Sequence, residues 1–399
     1  MRLSARVRAI SPSPTLAIDS LTKQLIREGK DVINFSVGEP DFDTPEHIKE
    51  AARKAMAEGF TRYTAVAGIP ELRQAIADKL AADNGLRYSP EQIVVSNGGK
   101  HSLYNAFMAL CEPGDEVILQ APYWVSYPEI VKLAGGVPVV VETTARDHFK
   151  MTADMIRQKL TPRTRIINLN SPSNPTGAVY SRRELEDIAE LALAHDLVVV
   201  SDEIYEKLVY DGVEHVSIAA LGPEMQKRTV VINGFSKAYA MTGWRMGYAA
   251  SELDLAKAMS ALQGHSTSNP SSITQKASLA ALTGPQEPIL EMVKAFRERR
   301  DLTVDLVRDV PGFELPSAPQ GAFYVFPDVS SLLGKTIAGR RIDSSDALGE
   351  VLLAEAGVAT VPGGGFGAPD YLRISYATSS EQLRDGLGRI KRLVQTASA

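Results

Sequence analysis

The sequence predicts an α/β fold, with a large domain built on a mostly parallel sheet and a smaller α+β domain. Residues 197–201 and 229–233 are short, continuously apolar runs, which are typical of strands covered by helices on both faces. Strand-like runs alternate with helix-length amphipathic segments through the middle of the chain, and this order favours a parallel sheet. A length of 399 residues suits two domains.

The elements of the large domain follow from this alternation. The predicted strands cover residues 93–97, 116–120, 137–141, 165–170, 197–201 and 229–233. The predicted helices cover residues 99–110, 124–133, 152–160 and 182–194. The strands are rich in β-branched residues, and the helices show the wider spacing of apolar positions that one buried face requires.

The two ends of the chain have a different pattern. A helix is predicted over residues 15–28, stopped by Gly29, and an isolated strand over residues 32–38. The C-terminal part contains predicted helices at residues 289–310 and 347–355 and predicted strands at residues 322–326, 358–361 and 372–376. We therefore expect an N-terminal arm (1–12), a small domain (13–45 with 286–399) and a large domain (46–285).

Composition excludes several classes of protein. Apolar residues make up 44% and charged residues 23%, as in ordinary globular proteins. The net charge of −5 argues against binding to nucleic acid or to an anionic membrane surface. Cys111 is the only cysteine, so no intramolecular disulfide is expected. No secretory h-region and no membrane-length apolar run occurs, so we expect a cytoplasmic protein.

The commoner catalytic motifs are not matched. The segment ending in Gly98, Gly99 and Lys100 differs from a P-loop, because Val94 stands where the first glycine belongs and His101 follows the lysine. The six histidines form no i,i+4 pair, and one cysteine cannot build a thiolate site. We therefore expect no metal site and no histidine-based hydrolase.

Polar residues follow four of the predicted strands. They are Gly99 with Lys100, Asn174, Asp202, and Lys237. Because the carboxyl ends of parallel strands share one edge of a sheet, these residues are expected to converge on the usual ligand crevice.

This combination has a chemical logic. A shielded lysine such as Lys237 can form a Schiff base with an aldehyde, and a carboxylate such as Asp202 keeps a pyridine nitrogen protonated. Asn174 and Tyr205 can hydrogen-bond the phenolic oxygen of the same ring. A glycine pair that opens a helix, together with Arg245, can bind a phosphate. The residues therefore predict a site for pyridoxal 5'-phosphate (PLP).

Four motifs carry a resemblance to a known family. Residues 234–247 resemble the cofactor-attachment signature of the class-I PLP-dependent aminotransferases, and residues 38–45, 171–177 and 201–205 resemble three other motifs of that family, in the same order. The resemblance covers nearly the whole chain and is closest to the bacterial aspartate aminotransferases, in the branch that includes prephenate aminotransferases. It implies fold type I of the PLP-dependent transferases and a homodimer with shared active sites.

The resemblance also implies a role for each residue. Lys237 would carry the cofactor and move the proton, with Asp202 and Tyr205 as the other catalytic residues. The implied cofactor contacts are Lys237, Gly99, Lys100, Trp124, Asn174, Asp202, Tyr205, Ser236 and Arg245, with Tyr63 reaching the other subunit's cofactor. The implied substrate contacts are Gly38, Lys100, Trp124, Asn174 and Arg373.

The implied reaction is a ping-pong transfer of the amino group from L-aspartate to 2-oxoglutarate, within amino-acid biosynthesis. Arg373 would bind the α-carboxylate and Lys100 the distal one, with residues 13–15 closing over that end. Amino transfer to prephenate is an alternative, although Ser11 stands where relatives active on prephenate carry a basic residue. A PLP-dependent C–S lyase or decarboxylase and a non-catalytic binding protein are more distant alternatives.

Overall fold

A computed structural model of the chain describes residues 2–398. The α-helices are α1 Ala5–Arg8, α2 Pro14–Arg27, α3 Glu46–Ala57, α4 Pro70–Asn84, α5 Gly99–Leu110, α6 Ser126–Leu133, α7 Ala153–Arg157, α8 Arg182–Ala194, α9 Pro223–Lys227, α10 Leu253–Ser266, α11 Ser272–Thr283, α12 Glu287–Arg308, α13 Ser345–Ala356 and α14 Ser380–Val394. The strands are β1 Ile33–Asn34, β2 Ile93–Ser96, β3 Glu116–Ala121, β4 Val137–Glu142, β5 Thr164–Asn170, β6 Val198–Asp202, β7 Thr229–Gly234, β8 Gly247–Ala250, β9 Tyr324–Val325, β10 Thr336–Ile337, β11 Arg340–Arg341, β12 Val358–Ala359, β13 Val361–Pro362 and β14 Leu372–Ser375.

A seven-stranded sheet forms the centre of the molecule, in the order β2-β8-β7-β6-β5-β3-β4. All strands run parallel except β8, which is antiparallel to both β2 and β7. Alternate residues of one strand enter different apolar clusters: Val200 packs on one face of β6 and Val199 on the other. The sheet is therefore buried on both faces, which confirms the predicted α/β fold class.

The predicted strands of the large sheet agree with the structure to within a residue at either end. The strand β8 was not predicted, because its four residues, Gly-Tyr-Ala-Ala, carry no β-branched side chain. Two predicted helices are shorter than expected: α6 begins at Ser126 and leaves Trp124 in a turn, and α7 ends at Arg157.

Segments to which we assigned no element from the sequence contain α3, α4, α10, α11 and α14. Between α11 and α12 the chain turns at residues 284–286, near the predicted domain boundary. The strands of the large sheet lie between residues 93 and 250, and β1 pairs with the C-terminal strand β12. The division into an arm and two domains stays a prediction. No helix among residues 2–398 has both the length and the apolar character that a membrane span needs.

The segment predicted as a strand over residues 32–38 is a strand only at Ile33–Asn34. Beyond it, two carbonyl oxygens accept hydrogen bonds from side chains instead of from a neighbouring strand. The Ser36 carbonyl accepts from Arg373 at 2.7 Å, and the Gly38 carbonyl accepts from the Lys237 amine. The extended backbone therefore presents its oxygens to the two cations.

The predicted strand over residues 358–361 is two strands. The strand β12 pairs with β1 in one sheet, and β13 pairs with β14 in a three-stranded sheet, β13-β14-β9. The chain changes sheets at Thr360, and the run Val-Ala-Thr-Val gives no local signal of this change. This second sheet matters for the site, because it carries Arg373 on β14.

Gly247, the first residue of β8, packs directly against the N-terminus of α5. A Cβ atom there would lie 2.3 Å from the Gly99 nitrogen and 2.9 Å from its Cα atom. No real contact is that short, so a side chain would push α5 away from the sheet.

We therefore expect Gly247→Ala to lower the free energy of unfolding by about 1–3 kcal/mol, the usual cost of overpacking. Gly243→Ala is the matched control, because no atom lies within 4 Å of its Cβ position and its change should stay within about 0.5 kcal/mol. Urea unfolding measures both. Equal stability of the two variants would contradict the close packing.

Candidate active site

A cavity of about 430 Å³ lies at the carboxyl edge of the large sheet. Strands β2, β3, β5, β6 and β7 all end at this edge, and each is followed by a residue that lines the cavity. Eleven of the twelve residues singled out from the sequence line it: Gly38, Gly99, Lys100, Trp124, Asn174, Asp202, Tyr205, Ser236, Lys237, Arg245 and Arg373. Tyr63 does not, and it is 90% exposed.

The N-terminus of α5 forms one end of the cavity. Gly98 precedes the helix with φ +85°, and a Cβ atom on it would lie 2.6 Å from an Arg245 guanidinium nitrogen. Glycine therefore lets the arginine lie against the first turn of the helix. Free N–H groups, the helix dipole and a guanidinium together favour an anion such as a phosphate. Ser236 lines the same cavity.

Asp202 is the last residue of β6 and is only 5% exposed. Its carboxylate accepts hydrogen bonds from the Tyr127 hydroxyl at 2.7 Å and from the Ile204 N–H at 3.2 Å. Burial raises the pKa of Asp202 to about 6, although both hydrogen bonds oppose this shift. A buried carboxylate in this state favours a cationic partner in the cavity.

Lys237 follows β7 and faces the cavity. Its amine donates a hydrogen bond to the Gly38 carbonyl and lies 5.6 Å from the centre of the Tyr205 ring. Burial lowers the pKa of this amine to about 8. A substantial fraction of the amine is therefore neutral at physiological pH, as a nucleophile or a base requires.

Arg373 lies on β14 with 2% of its surface exposed. One terminal nitrogen donates to the Asn174 side-chain oxygen at 3.0 Å and the other to the Ser36 carbonyl, while the buried Nε has no partner. Burial lowers the pKa of the guanidinium. A guanidinium held among neutral groups with unused donor capacity is suited to bind a carboxylate.

Lys100 and Trp124 meet at the outer part of the cavity, where the Lys100 amine lies 4.7 Å from the centre of the indole ring. Loss of solvent, together with the charge of Arg245, lowers the pKa of Lys100. Ser13 and Thr15 line the same cavity and are hydrogen-bonded to each other at 2.9 Å. Ser11 is not part of the lining, and its N–H donates to the Glu129 carboxylate.

The charges of the cavity differ from those of the whole protein. The lining contains three acidic side chains, Asp19, Glu39 and Asp202. It contains five basic ones, Lys23, Lys100, Lys237, Arg245 and Arg373. The chain as a whole carries −5, so positive charge is concentrated at this one place. The excess favours ligands with several negative charges.

The residues present fit PLP. The raised pKa of the buried Asp202 carboxylate, the free N–H groups of α5 and the lowered pKa of the Lys237 amine match the pyridinium, phosphate and aldehyde groups of that cofactor. These are three independent features at separate positions of one cavity.

Sequence reasoning missed three residues that shape the site. Tyr127 donates to Asp202, Asn170 bridges the Asp202 carbonyl and the Asn174 N–H, and the Tyr324 hydroxyl contacts the Tyr205 hydroxyl. Asn170 directly precedes the motif at residues 171–177, and Tyr127 lies three residues after Trp124, so their positions were a usable signal. Tyr324 lies in an aromatic strand that reads as core, and no local signal marks it.

Among residues 2–398, one group of possible metal ligands lies together: Glu203, Glu206 and His215. Glu203 accepts hydrogen bonds from Ser201, Ser217 and His215. Glu206 pairs with Lys79 and accepts from Asn84 at 2.9 Å. The carboxylate oxygens already have partners, so the cluster is a buried network behind the Asp202–Tyr205 segment.

Comparison with known proteins relates the whole chain to one family. Residues 30–390 match the family of class I and II aminotransferases. An aspartate aminotransferase of Geobacillus stearothermophilus is 52% identical over 99% of both chains. An aspartate/prephenate aminotransferase of Cereibacter sphaeroides is 49% identical over 98% of both. The crystal structure of an aspartate aminotransferase from Rhizobium meliloti superposes with a TM-score of 0.96, at 44% identity and complete coverage of both chains.

The raised pKa of Asp202 predicts an effect on stability in the protein without cofactor. The folded chain holds this proton more tightly than the unfolded chain, whose carboxyl has a pKa near 3.8. Stability is therefore lost as the pH rises from about 4 to 6. Asp202→Asn does not titrate, so above pH 6 it should be more stable than the wild type by at most about 3 kcal/mol, with no gain below pH 4.

Urea unfolding of the cofactor-free proteins at pH 7.5 and pH 4 measures this difference. Asp305→Asn is the control, because Asp305 is an exposed residue in the interior of α12, away from the cavity lining. If Asp202→Asn were less stable than the wild type at pH 7.5, the burial of this charge would not destabilise the fold, and the prediction would be wrong.

Proposed function

We propose that this chain, which belongs to the class I and II aminotransferases, is an aspartate aminotransferase that uses PLP. It transfers the amino group of L-aspartate to 2-oxoglutarate, which yields oxaloacetate and L-glutamate. One observation carries the proposal: Lys237, Asp202 and Arg373 line the same cavity. They supply an amine that can lose its proton, a buried carboxylate and a buried guanidinium.

The class I aminotransferases depend on PLP, and we propose which residues of this chain hold it. Asp202 pairs with the pyridine nitrogen, while Tyr205 and Asn174 contact the phenolic oxygen. Trp124 stacks on the ring. The phosphate binds to the backbone N–H groups of Gly99 and Lys100 at the start of α5, to Ser236 and to Arg245. When bound, PLP supplies an electron sink for the negative charge that develops at the substrate Cα atom.

Lys237 moves the proton in this reaction. With PLP bound, the Lys237 amine would be the base that takes the proton from the substrate Cα atom and the acid that returns it at the C4′ position. Its lowered pKa of about 8 keeps both protonation states accessible near neutral pH. The Gly38 carbonyl holds the amine in place between these transfers.

Two cations select the substrate. Arg373 binds the α-carboxylate, since its guanidinium is fixed by Asn174 and Ser36 and retains a free Nε–H. Lys100 binds the distal carboxylate, and residues 13–15 close over that end. Charged recognition at both ends excludes apolar side chains, because their binding would leave Lys100 desolvated and unpaired.

We further propose that the chain acts as a cytoplasmic homodimer. Tyr63 is a large aromatic side chain that is 90% exposed, as expected for a residue that reaches the phosphate end of the other subunit's site. The net positive cavity, which favours anionic substrates, supports small oxo acids and amino acids as the ligands.

Amino transfer to prephenate is a second candidate activity. A relative with 49% identity is named an aspartate/prephenate aminotransferase. Prephenate also carries two carboxylates, so Arg373 and Lys100 suit it as they suit aspartate. Ser11, which does not line the cavity, supplies no positive charge for this substrate.

Lys237→Ala should retain the cofactor through its other contacts and lose turnover by at least about 10²- to 10⁴-fold, because the base at Cα is gone. Steady-state transfer from aspartate to 2-oxoglutarate measures this. Borohydride reduction of the wild type followed by peptide mass spectrometry should find the cofactor on Lys237 alone. Lys227→Ala, an exposed lysine paired with Glu224, is the control. Near-normal activity of the Lys237 variant would refute the assignment.

Lys100→Ala should raise KM for aspartate and 2-oxoglutarate by about tenfold or more, since a charge-assisted hydrogen bond of 1.5–3 kcal/mol is removed. Activity toward alanine should change far less. Two single-turnover experiments separate the candidate activities. The first follows amino transfer to the enzyme from aspartate, glutamate, alanine or phenylalanine. The second follows amino transfer from the enzyme to prephenate or to 2-oxoglutarate. Release of ammonia, pyruvate or CO₂ in place of a 2-oxo acid and glutamate would favour a lyase or a decarboxylase.

A further inference from the structure

Tyr324 contacts both Tyr205, a proposed cofactor-binding residue, and Arg373, a proposed substrate-binding residue. It is the first residue of β9 and is fully buried, and its partner on β14 is Ser375. Arg373 lies two residues earlier on that strand. The pairing of β9 with β14 therefore brings the Tyr324 ring beside the guanidinium. Tyr324 also lines the cavity.

Three contacts converge on this side chain. Its hydroxyl lies 2.9 Å from the Tyr205 hydroxyl. The guanidinium of Arg373 lies 4.5 Å from the centre of its ring. A Cβ atom at Gly38, whose carbonyl accepts from the Lys237 amine, would lie 3.0 Å from the Tyr324 hydroxyl. A residue that served only the apolar core would need none of these polar neighbours.

We propose that Tyr324 is a positioning residue for this reaction: its hydroxyl directs the Tyr205 proton toward the cofactor ring, and its ring holds the Arg373 guanidinium in place for the carboxylate. The inference rests on the proposed function, because it assigns Tyr205 to the phenolic oxygen of PLP and Arg373 to the substrate.

The direction of the hydrogen bond between the Tyr324 and Tyr205 hydroxyls follows from the number of protons that they carry. Tyr205 has one proton, which it uses when it donates to the phenolic oxygen. The oxygen of Tyr205 then accepts from Tyr324. Among residues 2–398, the Tyr324 hydroxyl has no other hydrogen-bond partner, so its proton is available. A chain of two phenols polarises the outer O–H bond and strengthens its donation.

The ring contributes a separate effect. An arginine over the face of an aromatic ring is attracted by the ring's quadrupole, most strongly where both are removed from water. Arg373 has a second ring, that of Phe366, at 5.2 Å. The Tyr324 ring is closer. Asn174 and Ser36 accept from its two terminal nitrogens, which leaves the Nε–H and one N–H on each terminal nitrogen free for a carboxylate.

Two variants distinguish the role of the Tyr324 hydroxyl from the role of its ring. Tyr324→Phe keeps the ring and removes the hydroxyl, whereas Tyr324→Leu removes both. The first measurement is the pH midpoint of the visible absorbance of the PLP-loaded enzyme, without substrate. Tyr324→Phe should move this midpoint upward by about 0.4–1 pH unit, because weaker donation from Tyr205 destabilises the anionic ring oxygen. Tyr205→Phe should move it further in the same direction.

The second measurement is the Kd of succinate, a dicarboxylate that cannot react. Tyr324→Phe should bind it within about twofold of the wild type, while Tyr324→Leu should bind it about two- to thirtyfold more weakly. Tyr376→Phe is the control. It removes another fully buried hydroxyl of the same apolar cluster, which bonds the Ala322 carbonyl at 3.2 Å, and it should change neither quantity.

The outcomes are distinct. An unchanged midpoint in Tyr324→Phe, with a shift in Tyr205→Phe, would overturn the hydroxyl role, as would an equal shift in Tyr376→Phe. Equal succinate affinity in Tyr324→Leu and Tyr324→Phe would overturn the ring role. If Tyr324→Leu does not fold, the midpoint of Tyr324→Phe decides the hydroxyl role, and Tyr324→Met, whose longer flexible side chain fills more of the ring's space, replaces Tyr324→Leu in the succinate comparison. A wild type without a PLP absorbance that depends on Lys237 would instead refute the proposed function.

Discussion

Asp202 places a carboxylate inside the protein at the end of β6, and most of the site is arranged around that charge. Burial opposes ionisation of the carboxyl, and the Tyr127 hydroxyl, the Ile204 N–H and the charge of Lys237 offset this only in part. Asn170 bonds the Asp202 carbonyl and then fixes Asn174, which in turn contacts Arg373. A set of hydrogen bonds thus links the main chain of Asp202 to the Arg373 guanidinium. A cationic ring beside the Asp202 carboxylate would compensate its buried charge.

The second organising feature is the extended segment after β1. Its carbonyl oxygens at Ser36 and Gly38 accept from Arg373 and Lys237, so a piece of chain from the N-terminal part contacts both functional cations. In a sheet these oxygens would be paired with another strand. These two side-chain contacts tie the N-terminal segment to the site.

Part of the site was predictable because several of its residues lie at or just after the end of a strand, whereas Arg373 lies within β14. The polar residues after apolar runs identified Gly99, Asn174, Asp202 and Lys237, and the parallel order of the strands explained why they meet. Sequence reasoning failed where contacts are set by distant partners. Tyr324 is an aromatic residue in an aromatic strand, and only the pairing of β9 with β14 brings it to Arg373 and Tyr205.

The sequence by itself determined the fold class, the edge of the sheet that carries the chemistry and the types of group found there. These depend on local periodicity and on residues a few positions beyond each strand. The tertiary structure decided the shifts in pKa of Asp202 and Lys237, the split of residues 358–361 between two sheets and the contacts of Tyr324. Burial and strand pairing depend on segments tens to hundreds of residues apart, so no local pattern encodes them.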